Sequence, residues 1–459
     1  MIHRLNFRNV ANIRPFVKRG IFPHLKVGVR FWLVLMGLLI ASAAEPNCYA
    51  QFDIEEAPFE YSKTPDQNAV TDLIERLESG ESQLEHSDDF GYLPALLKEF
   101  GISTYSQGLV FSKTSLQVGH ISSQNPRAIY FNDDVYIGWV RGSSLVEIST
   151  SDARLGAAFY SAERSGSRLN IRRRNYTCLA CHTTSMTKGI PGHTVRSVFP
   201  KHNGGFDYRR KSFITDHKSP IAEHWGGWYV TGDHGNMNHM GNAVLAGNRL
   251  DTRHSSNLSD LSDRLFTLDW LTPYSDIVAL MILEHQTQMH NTFTVGNFSV
   301  RQAVYENQQR DGPSSKAKGS AFAQIVDGAA KNVVDYMLFL NESPLVSEIK
   351  PSNRFTKVFS GRQPSDSKGR SLRAFNLKSR LFEYPCSYMI YSHAFATLEP
   401  ELRSQIYRRL WSTLNADESS DEFKHLNNDA RVAIREIIRD TKTDLPAYWY
   451  AHPKSSVSR

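Results

Sequence analysis

Residues 128–140 read AIYFNDDVYIGWV, and this stretch decides the fold class expected for the middle of the chain. β-Branched and aromatic residues fill both halves, and the polar triplet at 132–134 is typical of a tight turn. Two strands joined by a short turn are therefore predicted. Similar stretches are GLVFSKTSLQV at 108–118, SLVEIS at 144–149 and LGAAFYSA at 155–162. Together they predict a small antiparallel β-sheet.

Helical patterns surround this predicted sheet. NAVTDLIERLESG, at 68–80, precedes it, and four further helical stretches follow residue 270. In the first of these four, Ser275 or Asp276 can cap the helix in front of a continuous apolar run. The four stretches are SDIVALMILEHQTQMHN at 275–291, AFAQIVDGAAKNVVDYMLFL at 321–340, ELRSQIYRRLWSTL at 401–414 and DARVAIREIIRD at 429–440.

The last two of these helices have a predicted buried face. The apolar positions recur with helical spacing, so they share one side of each helix. Those positions are Leu402, Ile406, Leu410 and Leu414 in the first helix, and Val432, Ile434, Ile437 and Ile438 in the second. Between sheet and helices, from about 165 to 260, Gly, His, Asn and Ser dominate and little periodicity is visible. The predicted fold class is α+β, with a small antiparallel region, a long irregular segment and a mainly helical C-terminal part.

The first 44 residues have the layout of a secretory signal peptide. Residues 1–30 contain seven Lys or Arg and no acidic residue, and the apolar run FWLVLMGLLIASAA follows at 31–44. This run is shorter than the roughly 20 residues that span a bilayer, which favours a cleaved signal over an anchor. Cleavage is predicted after Ala44 or Ala50. The expected location is therefore the periplasm, with no integral membrane span after cleavage and membrane association only if the leader is retained.

The basic net charge comes from this leader. The full chain carries +6, and removing the seven positive charges of the leader leaves −1 for the remainder. The basic triplets at 172–174 and 209–211 are local, and no stripe of Lys and Arg interleaved with aromatic residues accompanies them. Nucleic-acid binding is therefore not expected.

Residues 178–182 read CLACH, in a chain that has only four cysteines. C-x-x-C-H is the attachment signature of c-type heme. Two cysteines three positions apart present both thiols along one side of a short turn, where they can add to the two vinyl groups of a porphyrin. The adjacent histidine then projects toward the iron. The motif predicts one covalent heme c, held by Cys178 and Cys181, with His182 as the proximal ligand.

Three other interpretations of the motif stay open. A chance match is expected about once in a thousand such chains. A redox disulfide is compatible with export, but it does not require the histidine and the surrounding sequence has no βαβ pattern. A structural zinc site needs further ligands, and the His234/His239 and His285/His290 pairs have no cysteine beside them. Export favours heme, because c-type heme is attached outside the cytoplasm.

CLACH resembles the heme site of c-type cytochromes. This resemblance implies thioether positions at Cys178 and Cys181 and a proximal ligand at His182. Longer stretches resemble a group of large exported bacterial proteins that contain a cytochrome c domain and have no established activity. These stretches are PRAIYFNDDVYIGWV at 126–140, CLACHTTSMTKGIPGHTVRSVFP at 178–200, HWGGWYVTGDHG at 224–235 and RLFEYPCSYMIYS at 380–392.

The residues around the heme iron are less clearly indicated. Small cytochromes often have a proline after the motif whose carbonyl accepts the N–H of the proximal histidine. Pro191 could have this role, but an ordinary turn proline is the favoured interpretation. Met240, in NMNHMGN, is a candidate distal ligand beside Gly241. His285 is a second candidate, because it shares a helix face with two methionines. The loop around Met240 also contains His234 and His239, and an open sixth position remains an alternative.

Electron transfer is the function that the motif supports directly, with a redox partner protein or a small-molecule electron donor or acceptor as partner. The alternatives are a sensor and a heme enzyme, such as a peroxidase or a small-molecule reductase. The enzyme would keep the sixth position open and use His234, His239 or Glu284 as the acid–base group. No catalytic residue is assigned. The predicted regions are 1–44 signal peptide, 45–164 N-terminal region with the small sheet, 165–300 c-type heme-binding region and 301–459 helical C-terminal region.

Overall fold

The computed structural model describes residues 52–166, 168–252, 257–312, 319–416 and 421–450. The predicted leader and Cys48 lie outside these ranges. Within them the chain is an α+β protein with a six-stranded antiparallel sheet whose strands follow chain order. The strands are β1 (Gly108–Val110), β2 (Arg127–Phe131), β3 (Val135–Trp139), β4 (Leu145–Asp152), β5 (Gly156–Ser165) and β6 (Arg168–Arg173). Two short pairs are separate from it: β7 (Arg196–Ser197) with β8 (Phe213–Ile214), and β9 (Val244–Ala246) with β10 (Arg249–Asp251).

The predicted antiparallel sheet is confirmed, with two differences at its ends. The first strand ends at Val110, and residues 111–118 form bends and turns instead of continuing it. Strand β6 was not predicted, because arginines surround its two apolar residues and obscure their alternation. Those two residues, Leu169 and Ile171, pack against the hydrophobic core. The core contacts of this strand therefore outweigh its polar composition.

All four helices predicted after residue 270 are present. The first is capped by Asp276, whose side chain accepts hydrogen bonds from the N–H groups of Val278 and Ala279, and it continues past residue 300. None of the described helices is long and apolar enough to cross a membrane. The helices are α1 (Ala69–Ser79), α2 (Leu93–Glu99), α3 (Tyr176–His182), α4 (Ile277–Asp311), α5 (Ser320–Met337), α6 (Phe355–Ser360), α7 (His393–Ala396), α8 (Pro400–Leu414) and α9 (Asn428–Thr441).

The predicted apolar face of α8 is buried at all four positions, Leu402, Ile406, Leu410 and Leu414. The face predicted for α9 is rotated slightly. Val432 is only half-buried, and Arg431 is buried instead. The guanidinium of Arg431 donates to the backbone carbonyls of Leu426, Thr413 and Phe423. These bonds compensate for its burial, which hydropathy alone cannot predict.

Helix α4 contributes to both hydrophobic clusters of the fold. One cluster joins α1 and α2 to a face of the sheet, for example through Leu73, Leu96 and Ile137, and it also contains Phe298 of α4. The other joins α4, α5, α8 and α9, and it contains Phe293. Because α4 is buried on several sides, its polar residues must find partners within the protein.

Candidate heme-attachment site

The three residues of the heme motif lie on the short helix α3. Positions i, i+3 and i+4 share one face of a helix, so Cys178, Cys181 and His182 point to the same side. Both thiols are free, and Cys178 is half-buried whereas Cys181 is exposed. No residue of α3 is fully buried. The helix therefore lies at the surface of the protein, with Cys181 open to solvent and Cys178 partly covered.

The ring of His182 has a defined tautomer. Its Nδ1 lies 2.8 Å from the carbonyl oxygen of Gly192. Because a carbonyl only accepts, Nδ1 carries the proton and Nε2 keeps its lone pair. The ring packs against Phe159, with 4.5 Å between ring centroids. Burial lowers the pKa of His182, and the bond to Gly192 opposes this only in part, so the imidazole is neutral at pH 7.

The carbonyl that orients His182 belongs to Gly192 and not to Pro191. The carbonyl of Pro191 instead accepts the N–H of Ala157 on β5, at 3.0 Å. The N–H of Gly192 donates to the carbonyl of His182, also at 3.0 Å, so the two residues exchange two hydrogen bonds. Pro191 therefore does not orient the ring, which agrees with the ordinary turn proline that the sequence favoured. The sequence does not show which carbonyl of a turn faces the ring.

The environment of Cys178 does not resemble that of a redox-active thiol. Burial raises its pKa to about 11, and the charge of Glu147 acts in the same direction. Cysteines of redox pairs usually have a lowered pKa, which makes the thiolate available near neutral pH. The zinc interpretation also gains no support. Among the described residues, no group of three or more His, Cys, Asp or Glu side chains is arranged to hold a metal ion.

Both candidate distal ligands are buried and hydrogen-bonded. The sulfur of Met240 accepts from Ser197 Oγ at 3.7 Å. His285 uses both ring nitrogens, Nε2 with Ser387 Oγ at 2.8 Å and Nδ1 with His217 Nδ1 at 2.9 Å. In the described part of the chain, neither residue forms a hydrogen bond or a ring contact with α3. A distal role for Met240 or His285 stays a prediction.

His234 and His239 pack against each other, with 4.6 Å between ring centroids. The N–H of Gly241 donates to Nδ1 of His239 at 3.0 Å, so Nε2 of this ring carries the proton in the neutral form. A ligand through Nε2 would need the other tautomer. Both ring nitrogens of His234 are buried without a hydrogen-bond partner among the described residues.

Glu284, the third candidate acid–base residue, forms a buried pair with His224. The distance from Glu284 Oε2 to His224 Nδ1 is 2.8 Å, and Thr215 Oγ1 donates to the other carboxylate oxygen at 2.6 Å. Glu284 and His224 border a pocket that Glu342 also lines, and burial raises the pKa of Glu342 to about 7. The pair has partners on all sides, so its geometry is that of a structural ion pair.

Sequence reasoning missed the polar cluster next to His182. His193 lies one residue beyond Gly192, and its ring contacts Tyr136 at 4.5 Å between centroids. The hydroxyl of Tyr136 lies 3.1 Å from Nδ1 of His290 on α4. Both His193 and His290 keep a buried Nε2 without a hydrogen-bond partner among the described residues, and Nε2 of His290 lies 4.0 Å from Asp134 Oδ1. The only signal in the sequence was the closeness of His193 to the motif.

A surface helix with two free thiols and a histidine of defined tautomer suits the two covalent bonds and the one iron ligand of heme c. The donor set of the chain therefore fits the predicted cofactor. Comparison with protein-family models, curated proteins and solved structures found no match to this chain.

Proposed function

We propose that this protein is an exported monoheme c-type cytochrome that transfers electrons through one covalent heme c. Cys178 and Cys181 would form the thioethers, and His182 would be the proximal ligand. The observation that carries the proposal is the 2.8 Å hydrogen bond from His182 Nδ1 to the Gly192 carbonyl, because it leaves Nε2 available to iron. When bound, the heme supplies a one-electron iron couple.

The surroundings of His182 support this role. The hydrogen bond to the Gly192 carbonyl polarises the Nδ1–H bond, which makes the imidazole a stronger electron donor through Nε2. Phe159 covers part of the ring and limits the access of water. Export, inferred from the leader, would bring the chain to the compartment where c-type heme is attached. A redox partner protein or a small-molecule donor or acceptor would exchange electrons with the exposed side of α3.

The first test is covalent attachment, measured after co-expression with a c-type heme maturation system. The wild type should keep a heme-stained band on a denaturing gel and give the pyridine haemochrome spectrum of heme c. Cys178→Ala/Cys181→Ala should lose the band. Cys386→Ala is the matched control, because Cys386 is buried and lies outside the motif. A wild type without heme, or a double variant that keeps it, would overturn the proposal.

The second test concerns the other axial position of the iron. A low-spin spectrum in both oxidation states means two axial ligands and supports electron transfer. A high-spin ferric spectrum that responds to cyanide or peroxide would favour the heme enzyme instead. Met240→Leu and His285→Gln then identify the distal ligand, because only loss of a ligand changes the ferric spectrum markedly. An unchanged spectrum removes that residue from consideration.

A further inference from the structure

The orientation of His182 depends on one short loop, residues 190–193. Within it, the Gly192 carbonyl accepts a hydrogen bond from His182 Nδ1–H, and the Gly192 N–H donates one to the main-chain carbonyl of His182. A small displacement of the peptide group between Gly192 and His193 would lengthen or bend the hydrogen bond from the Gly192 carbonyl to the His182 ring. Whatever holds the loop therefore also controls the proximal histidine.

Asn291, on α4, holds the loop from the opposite side. It is 4% exposed, and its side chain makes two opposed hydrogen bonds with the main chain of His193. Oδ1 accepts the His193 N–H at 2.9 Å, and Nδ2 donates to the His193 carbonyl at 2.7 Å. Two bonds of opposite polarity to one residue fix both the position and the rotation of the adjoining peptide groups.

The fit between the loop and Asn291 is close. A Cβ atom at position 192 would lie 2.5 Å from Asn291 Oδ1, well inside van der Waals contact. Any side chain at this position would therefore force the amide of Asn291 or the loop itself to shift. Pro191 anchors the same loop to β5 through the N–H of Ala157. The loop is thus held between the sheet and α4, with Asn291 as its side-chain contact on α4.

We propose that Asn291 is a positioning residue for the proximal ligand, which it controls through the main chain of His193 and the carbonyl of Gly192. The inference rests on the proposed heme-binding function. Without Asn291 the loop relaxes, and the hydrogen bond from His182 Nδ1 weakens. The imidazole then donates less electron density to iron, the ferric state is stabilised less, and the reduction potential rises.

The test compares Asn291→Ala with Asn297→Ala. Asn297 is a matched control, because it is also buried on α4, 6% exposed, and also joins two main-chain groups. Its amide donates to the carbonyl of Ala153 at 3.3 Å and accepts the N–H of Glu399 at 2.7 Å. Both variants lose the same kinds of bond, but only Asn291→Ala affects the loop at His182. Asn291→Asp keeps the acceptor and loses the donor, and it serves if the alanine variant does not fold.

Two measurements separate this inference from the proposed function. In the full chain prepared without heme, imidazole nitrogen NMR should show His182 as the Nδ1–H tautomer in the wild type and in Asn297→Ala. Asn291→Ala should show a mixture with the Nε2–H form, which predominates in free histidine. In heme-loaded protein, the reduction potential should rise in Asn291→Ala and stay near the wild-type value in Asn297→Ala.

Equal shifts in the two alanine variants, or no shift in either, would mean that Asn291 contributes packing only, and the inference would be overturned. A wild type that binds no heme would overturn the proposed function. The nitrogen spectra would then decide the positioning role without reference to heme.

Discussion

Individual histidines in this protein differ in protonation because their hydrogen-bond partners differ. A carbonyl at Nδ1 of His182 forces the proton onto that nitrogen, whereas a main-chain N–H at Nδ1 of His239 forces it onto the other. His224 faces an acceptor at each nitrogen, Glu284 at Nδ1 and the Ser219 carbonyl at Nε2. The imidazole of His182 is thus a candidate iron ligand, whereas that of His224 is one member of an ion pair.

The pair of His224 and Glu284 gives a prediction at the residue scale. Burial lowers the pKa of His224, but the charge and hydrogen bond of Glu284 outweigh it, so the pKa is raised. Glu284→Gln should fold, because its amide can donate to His224 Nδ1 and its oxygen can accept from Thr215. Without the carboxylate charge, burial should shift the pKa of His224 below the ordinary value of about 6.5. NMR titration of the ring measures this shift.

Glu284→Ala is the contrasting variant. It leaves His224 and Thr215 without their buried partner, and we expect a loss of about 3–5 kcal/mol in the free energy of unfolding. A His224 pKa that stays raised in Glu284→Gln would contradict the assignment of the shift to the carboxylate charge.

Among the elements, α4 connects the sheet to the helical part and carries the groups that organise the site. Glu284, His285, His290 and Asn291 all lie on it and all contact segments distant in the chain. Such a helix shows no simple polar face, because it is buried on several sides and many of its polar residues bond to other segments of the protein. The first turn of α4 is also held by buried hydrogen bonds, to the side chain of Asp276.

Removing the cap of α4 should therefore destabilise the protein strongly. Asp276 is fully buried, and it accepts from Val278 and Ala279 at the helix start and also from the main chain of Ser352 and Asn353. Asp276→Ala removes a cap and leaves buried donors unpaired, with an expected cost of about 3 kcal/mol by urea unfolding.

The exposed cap of α9 is the control for this prediction. Among the described residues, Asn427 accepts only from the N–H of Ala430, so Asn427→Ala should cost about 1 kcal/mol. Similar losses in the two variants would contradict the view that the cap of α4 also joins it to the segment around residue 352.

For the whole molecule, buried neutral histidines predict acid sensitivity. Burial lowers the pKa of His239 and of His285 to about 3, and that of His193 and His217 well below the ordinary value. Below about pH 6.5 these histidines bind protons in the unfolded chain but stay neutral in the folded protein. The free energy of unfolding therefore falls as the pH falls. At pH 5 this effect is about 2 kcal/mol for each of His239 and His285.

The groups with raised pKa act in the opposite direction. Stabilisation from His224 is complete below about pH 6.5 and is lost as the pH rises through its raised pKa, and Glu342 also binds protons more readily in the folded state. The buried histidines outnumber them, so urea unfolding should show lower stability at pH 5 than at pH 7. His285→Gln should flatten this profile by about 2 kcal/mol. Equal stability at both pH values would refute the prediction.

Local sequence determined the elements and the composition of the motif. β-Branched and aromatic residues on both sides of a polar turn at 132–134 determine β2 and β3, because strand pairing over a short turn depends on neighbouring residues. The spacing within CLACH brings Cys178, Cys181 and His182 to one side of α3 for the same local reason. Strand β6 and the buried Arg431 were not predictable in this way, because their burial depends on partners elsewhere in the fold.

Only the tertiary structure decided what surrounds the histidine. Gly192 orients His182 because the loop at 190–193 lies between β5 and α4, and Asn291 holds that loop from 98 positions away along the chain. The pairing of Glu284 with His224 spans 60 positions and is equally invisible locally. Hydrogen bonds between segments so far apart form only when the packing of the core has brought those segments together, so no pattern of neighbouring residues encodes them.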